Sequence, residues 1–409
     1  MAREFDIPEF YRSSSITALK LLRGEKDHRK RDFQPTSLDL GPITLKIARH
    51  FGFCFGVQNA IEIAYRAIEE NPGKRIFLLS EMIHNPHVNE DLCRRGVRFL
   101  RTAEGEQLIP FSDLKPEDVV IIPAFGTTVE LFERLSALGI NFYQYNTTCP
   151  FVEKVWKRAS ELGKKGYSIV VHGRYRHEET RATFSHAQLQ APTVVIRDME
   201  MGAQLRRYIL GELEAEQFYS DFREKHSEGF DPSRDLARIG VVNQTTMLAT
   251  ETEEISEMLK EAMRKRYGDA NLVYHFADTR DTLCYATSEN QRSVEALIES
   301  GGDLAIIVGG YNSSNTSHLV EMCAHVLPAF HIKDASEIID EDRIRHLDQV
   351  SGIVRVTEAW LPRAHHKVEI LITAGASCPD ALVDQVIKRL ASFFGAGSRL
   401  DHMLGNSVE

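Results

Sequence analysis

The sequence predicts an α/β protein built on parallel sheets, and three observations lead there. Short apolar runs alternate with helical periodicity along most of the chain. Several of those runs are continuous Ile, Val and Leu, the pattern of strands covered on both faces. The length, 409 residues, suits two or three cores of roughly 100–150 residues each.

In order, the expected strands are Ile43–Ala48, Arg75–Leu79, Val119–Pro123, Ser168–His172, Thr193–Ile196, Ile239–Val242, Asn271–His275, Leu304–Val308 and Glu369–Thr373. The expected helices are Val57–Glu70, Val88–Arg95, Thr128–Leu138, Phe151–Gly163, Thr250–Arg266, Glu289–Glu299, Asn315–Val326 and Pro379–Ala391. Such alternation implies right-handed crossovers. Two segments break the rhythm. Residues from about 202 to 238 read as a helix plus a surface loop, and those from about 334 to 367 as an irregular connection. Three stretches of βαβ character each carry one cysteine at a strand-to-helix turn.

Composition narrows the function classes. Apolar residues at 43% and charged residues at 26% are ordinary for a globular chain, and a net charge of −10 argues against non-specific nucleic-acid binding. No apolar run reaches the roughly 18–20 residues that span a membrane. The acidic, polar start lacks a secretory pattern, so a cytoplasmic location is expected. Six widely spaced cysteines do not make a secreted disulfide framework, and there is no CxxC. GxxxxGK[ST] is also absent, as is GxGxxG after a strand.

Ligands of parallel sheets bind beyond the carboxyl ends of the strands. There the sequence concentrates Cys, His, Ser, Thr and Asn. Cys149 precedes Pro150, a favoured first helical residue, so a helix N-terminus is expected to lower its thiol pKa. Cys54 sits in Gly-Phe-Cys-Phe-Gly, and Cys284 follows Asp281-Thr282-Leu283. On spacing alone these three are either a metal site or unrelated buried thiols. Cys93 and Cys323 read as small hydrophobes inside helices. Asn312-Ser313-Ser314-Asn315-Thr316 opens a helix and offers either a phosphate cradle or simple N-capping. Ser377 repeats the arrangement, and His84 and His177 add donors. Glu178 and Glu179 are either a solvated pair at a helix start or an enclosed proton carrier.

Together these loops resemble the LytB family of 4-hydroxy-3-methylbut-2-enyl diphosphate reductases. The matching stretches are Gly52–Val57, Ile83-His84-Asn85, Thr148-Cys149-Pro150, His177-Glu178-Glu179, Gln244-Thr245-Thr246, Cys284–Thr287, Asn312–Asn315 and Thr373–Asp380, over about residues 44–395. The resemblance implies three pseudo-symmetric α/β domains arranged as a trefoil around a central [4Fe–4S] cluster. Their expected bounds are 57–149, 150–281, and 282–395 with 43–56, beside a 1–42 extension and a 396–409 tail. It implies that Cys54, Cys149 and Cys284 bind three irons, leaving the fourth to the substrate oxygen. It further implies that His84, His177, Ser313, Ser314, Asn315 and Ser377 hold the diphosphate of an allylic substrate. Glu179 then supplies a proton with Thr245 as its partner, and ferredoxin or flavodoxin supplies electrons. The implied reaction is reductive dehydroxylation to isopentenyl and dimethylallyl diphosphate, the last step of the non-mevalonate pathway. The alternative is an electron carrier or redox sensor with a closed cluster that includes Cys378. Phe125 stands where many bacterial members carry a histidine. With Ala359-Trp360-Leu361-Pro362, it looks like the plant and cyanobacterial branch.

Overall fold

A computed structural model of the chain describes residues 5–27, 31–277, 282–362 and 367–405. Asp281 lies outside them. In chain order the strands are β1 (Thr36–Asp39) and β2 (Ile43–Ile47); β3 (Ile76–Leu78), β4 (Val97–Phe99) and β5 (Val119–Ile121); β6 (Ser168–His172), β7 (Thr193–Ile196), β8 (Ile239–Asn243) and β9 (Phe276–Ala277); and β10 (Leu304–Val308), β11 (Ala329–Ile332), β12 (Arg343–Asp348), β13 (Ile353–Glu358) and β14 (Val368–Ala374). The chain divides into two compact units, residues 1–58, 84–88 and 285–409, and residues 59–83 and 89–284.

The first unit is built on one sheet of order β1-β2-β14-β10-β11-β12-β13. Its middle, from β2 to β11, is parallel. The apolar run Leu304–Val308 is buried along its length, which explains its uninterrupted Leu, Ala, Ile and Val. The edges are antiparallel: β1 pairs with β2, and β12 and β13 form a hairpin. That hairpin falls inside the stretch expected to be an irregular connection. It is hard to read because β13 is exposed at almost every position and shows no apolar alternation.

The second unit carries two wholly parallel sheets, β4-β3-β5 and β7-β6-β8-β9. Phe77, Phe111 and Phe142 centre one apolar core beside the first sheet. Val170, Ile239 and Phe218 belong to another beside the second. The expected strand Asn271–His275 is instead helical, with the strand reduced to Phe276–Ala277. Val273 and Tyr274 are largely exposed, so the β-branched and aromatic run there never enters a sheet interior. The 202–238 stretch holds the end of a helix over Met199–Ile209, then the helices Ala215–Asp221 and Pro232–Asp235.

One pattern recurs within all three sheets. In each, one strand is flanked by two parallel strands that come later in the chain: β3 between β4 and β5, β6 between β7 and β8, β10 between β11 and β14. This is the α/β class the alternation predicts. It creates three topological switch points, where strand ends part and leave a crevice for a ligand.

Candidate active site

In the second unit, β6 and β8 deliver the acid. After β6 the chain turns through Gly173 to His177, which caps the helix Glu178–Gln188 by accepting the Glu179 N–H on Nδ1 at 3.2 Å. Glu178 and Glu179 are both buried, Glu179 to within 1% of full burial, so they are not a solvated pair. After β8, Gln244 accepts at Oε1 from the Thr180 hydroxyl (2.9 Å) and the Arg174 N–H (3.2 Å), and its amide donates to Thr246 (2.7 Å). Gln244 thereby ties the two strand ends together. Thr245 then donates its N–H to Glu179 Oε1 at 2.5 Å and its hydroxyl to Oε2 at 3.0 Å. A carboxylate so held is fixed in rotamer and aim.

Two thiols belong to the same neighbourhood. Cys149 is the N-cap of the helix Pro150–Lys164, with Pro150 at its first position, and its N–H donates to Ala124 O at 2.9 Å. The Thr282 hydroxyl bonds Asn243 Oδ1, fixing the segment before Cys284 to the end of β8. Both Cys284 and Glu179 lie within electrostatic reach of Cys149. The expected lowering of the Cys149 thiol pKa is overturned: it is pushed up to about 11. Burial outweighs the N–H donors of Phe151 and Val152, and the charges of Cys284 and Glu179 add to it. Phe125 meets the His177 ring edge-on, with centroids 5.5 Å apart.

In the first unit, the switch point between β10 and β14 builds a cradle. Ser313 caps the helix Ser314–Ala324 by accepting from the N–H (3.3 Å) and the hydroxyl (2.9 Å) of Thr316. Capping is therefore real, yet it uses Ser313 alone. Ser314 Oγ and Asn315 Nδ2 are buried without a hydrogen-bond partner. Unmet buried donors cost about 1–3 kcal/mol each, which an anion would recover. Asn315 Oδ1 accepts the Ala376 N–H at 2.9 Å, and Ala376 O accepts the Cys54 N–H at 3.1 Å. Ser377 does not cap its helix; it donates to the His84 carbonyl at 3.2 Å. Gly310 passes so close that a Cβ there would sit 2.4 Å from the same oxygen. His87 grips Asp334 at 2.8 Å and pins the His84 loop. His84 itself is buried.

The structure thus gathers Glu179, Thr245, His177, Cys149 and Cys284 in one unit, and His84, Ser313, Ser314, Asn315, Ser377 and Cys54 in the other. Cys378 is fully buried in the apolar core, and its thiol donates to the Pro379 carbonyl at 3.6 Å. Among the described residues, no three His, Cys, Asp or Glu side chains form a metal-holding group. The donor chemistry at Cys149 still suits a thiolate-bound metal, since Phe151 and Val152 aim N–H groups at its sulfur. Sequence reasoning gave no role of their own to Gln244, Asn243 and Thr282, and did not single out Asp334 or Gly310. Their signal lay in the polar strand-end stretches, but their work depends on contacts remote in sequence.

Parallel sheets with thiols at helix starts, a held carboxylate and unmet donors at a switch point define an α/β protein of the ligand-binding, strand-end type. The LytB protein family model matches residues 45–391. The chain belongs to the LytB family. It is 40% identical over 364 residues to the 4-hydroxy-3-methylbut-2-enyl diphosphate reductase of Gloeobacter violaceus, covering 88% of this chain and 85% of that one. The same enzyme of a Synechococcus species is 40% identical over 354 residues, 86% of each chain. These cyanobacterial relatives agree with the branch expected from Phe125. The fold is that of the E-1-hydroxy-2-methyl-but-2-enyl-4-diphosphate reductase of Plasmodium falciparum, with a TM-score of 0.60 at 21% identity over 85% of this chain and 87% of that one. No helix of the described residues is long and apolar enough to cross a membrane.

Proposed function

We propose that this chain reduces (E)-4-hydroxy-3-methylbut-2-enyl diphosphate to isopentenyl and dimethylallyl diphosphate, the terminal step of the non-mevalonate pathway. The C–O bond to the hydroxyl breaks, two electrons and two protons enter, and water leaves. Relatives at about 40% identity over most of the chain carry that enzyme's name. The observation that carries the reading is the two-point hold of Thr245 on buried Glu179, within reach of the Cys149–Cys284 pair.

Cys54, Cys149 and Cys284 would hold a [4Fe–4S] cluster, which when bound supplies single electrons and a Lewis-acidic iron. The chain's own residues do the rest. Ser314 and Asn315 offer unmet donors to the diphosphate; His84, His177, Ser313 and Ser377 complete its hold and fold the short substrate. Glu179 keeps a proton for the departing hydroxyl oxygen, and Thr245 fixes the carboxyl so that the proton is delivered in one direction. Ferredoxin or flavodoxin would deliver electrons in the cytoplasm. The three sheets support the division into three α/β domains.

Anaerobic assay with the allylic diphosphate and an artificial one-electron donor tests the proposal. Formation of both C5 diphosphates is expected. A brown, iron-loaded protein that leaves the substrate untouched would refute it.

A further inference from the structure

The N-terminal helix Ser14–Lys26 has no part in the reading above, yet it touches the Cys54 loop. Ser13 caps it by accepting the Ile16 N–H at 3.2 Å, and Ile16 and Leu19 enter the apolar core. One turn further, Lys20 turns to polar groups. Its Nζ donates to the Phe51 carbonyl at 3.0 Å and to Asp380 Oδ1 at 2.7 Å, and lies 4.4 Å from the centre of the Phe51 ring. Asp380 is the first residue of the helix Asp380–Phe393, where a carboxylate suits the helix dipole.

Phe51 lies three residues before Cys54. Between them Gly52 takes φ +77°, and a Cβ there would come within 2.5 Å of Asp380 Oδ1. The loop is thus pressed onto the Asp380 carboxylate. Without the ammonium, the Phe51 carbonyl and the Asp380 carboxylate would be two acceptors facing each other, half-buried and unmatched. Beyond Gly52 the Cys54 N–H binds Ala376 O, and the Ala376 N–H binds Asn315 Oδ1. A continuous run of bonds therefore joins Lys20 to Cys54 and on to the Ser-Ser-Asn cradle.

We propose that Lys20 is a positioning residue: it fixes the Cys54 loop against the helix start behind Ser377, and so sets a cluster ligand and the diphosphate cradle in one frame. This rests on the cluster-enzyme reading above. It gives the N-terminal segment a task that its own sequence does not announce.

The test uses the anaerobically reconstituted holoenzyme with Lys20→Met and Lys20→Arg, and with Leu21→Ala as a reference at an exposed position of the same helix. The rate at which an iron chelator bleaches the visible absorption is measured beside KM and kcat. Lys20→Met is expected to bleach roughly 10-fold faster or more and to raise KM by a similar factor, as outer contacts of metal ligands commonly do. Lys20→Arg should recover most of both, and Leu21→Ala should match the wild type. Wild-type bleaching and KM in Lys20→Met overturn the proposal alone. Should Lys20→Met not fold, Asp380→Ala removes the carboxylate that holds the ammonium from the other side, and the same two outcomes decide. A wild-type chain that never takes up iron and sulfide overturns the cluster reading, and this proposal with it.

Discussion

Thr245 holds Glu179 at both carboxylate oxygens, by backbone N–H at 2.5 Å and by hydroxyl at 3.0 Å. The two bonds separate in mutagenesis. Thr245→Val keeps the backbone bond and loses the hydroxyl. A hydrogen bond to a carboxyl that holds its proton is worth about 0.5–1.5 kcal/mol, so kcat is expected to fall by about 2–10-fold while the cluster absorption is unchanged. Glu179→Gln keeps shape and partners but cannot give a proton. Its kcat should fall by about 10²–10⁴. Steady-state rates with anaerobic spectra check both, and normal turnover in Glu179→Gln removes the residue from proton delivery.

Phe125 packs edge-on against His177, so it borders a ring proposed to hold the diphosphate. Phe125→Ala deletes an aromatic pair worth about 0.5–1.5 kcal/mol, so KM for the diphosphate should rise by about 2–10-fold with kcat little altered. Phe125→His should lower KM, and more at pH 6 than at pH 8. An imidazole gains charge as the pH falls through about 6.5, and a dianionic ligand rewards that charge. A KM equal to wild type in both variants at both pH values shows that His177 does not bind the diphosphate.

Much of this was legible in the sequence, and the reason is local. Ser168–His172, Thr193–Ile196 and Leu304–Val308 coincide with their strands because a parallel strand covered on both faces must be apolar throughout. Cys149-Pro150 marks its helix start because Pro fits the first turn. Elements whose stability comes from contact with distant chain were illegible. In the β12–β13 hairpin only β12 turns a face to the core, through Ile344, while β13 is held by pairing alone. The Cys149 thiol was misjudged because a helix terminus is visible in sequence, whereas burial is not. Lys20 reaches Asp380 across 360 positions, a relation no spacing rule contains.

Acid should loosen the first unit through His331. This residue is fully buried on β11; Nδ1 accepts from the Gln349 amide at 2.7 Å and Nε2–H donates to Gly309 O at 3.2 Å. Burial lowers its pKa from 6.5 to about 4, against the pull of the Gly309 and Gly310 carbonyls. The sign follows directly. Between about pH 6.5 and 4 the unfolded chain takes a proton that the folded chain refuses, so stability is complete above 6.5 and declines as the pH falls toward 4. The loss amounts to about 3 kcal/mol over that window. Denaturant unfolding at stepped pH should show this slope in the wild type and a shallower one in His331→Gln. Parallel slopes would mean that His331 charges freely in the folded state.

Cys378 decides between a reductase and a closed-cluster electron carrier. It neighbours Ser377 at the start of the helix Asp380–Phe393, the position from which a fourth thiolate would come. Its side chain instead lies wholly within the apolar core, and its S–H is spent on the Pro379 carbonyl. Burial holds the thiol far above its usual pKa, with the Asp380 charge adding to the effect. A thiolate there would have to form in an apolar surround and break that bond. Cys378→Ala is therefore expected to retain its full iron and sulfide and its turnover, at a stability cost of about 1 kcal/mol for the lost buried atom. Cys149→Ser, by contrast, should lose the brown colour. Loss of iron in Cys378→Ala, with the fold intact by circular dichroism, would instead make the site a closed four-thiolate cluster, with no iron left to meet a substrate.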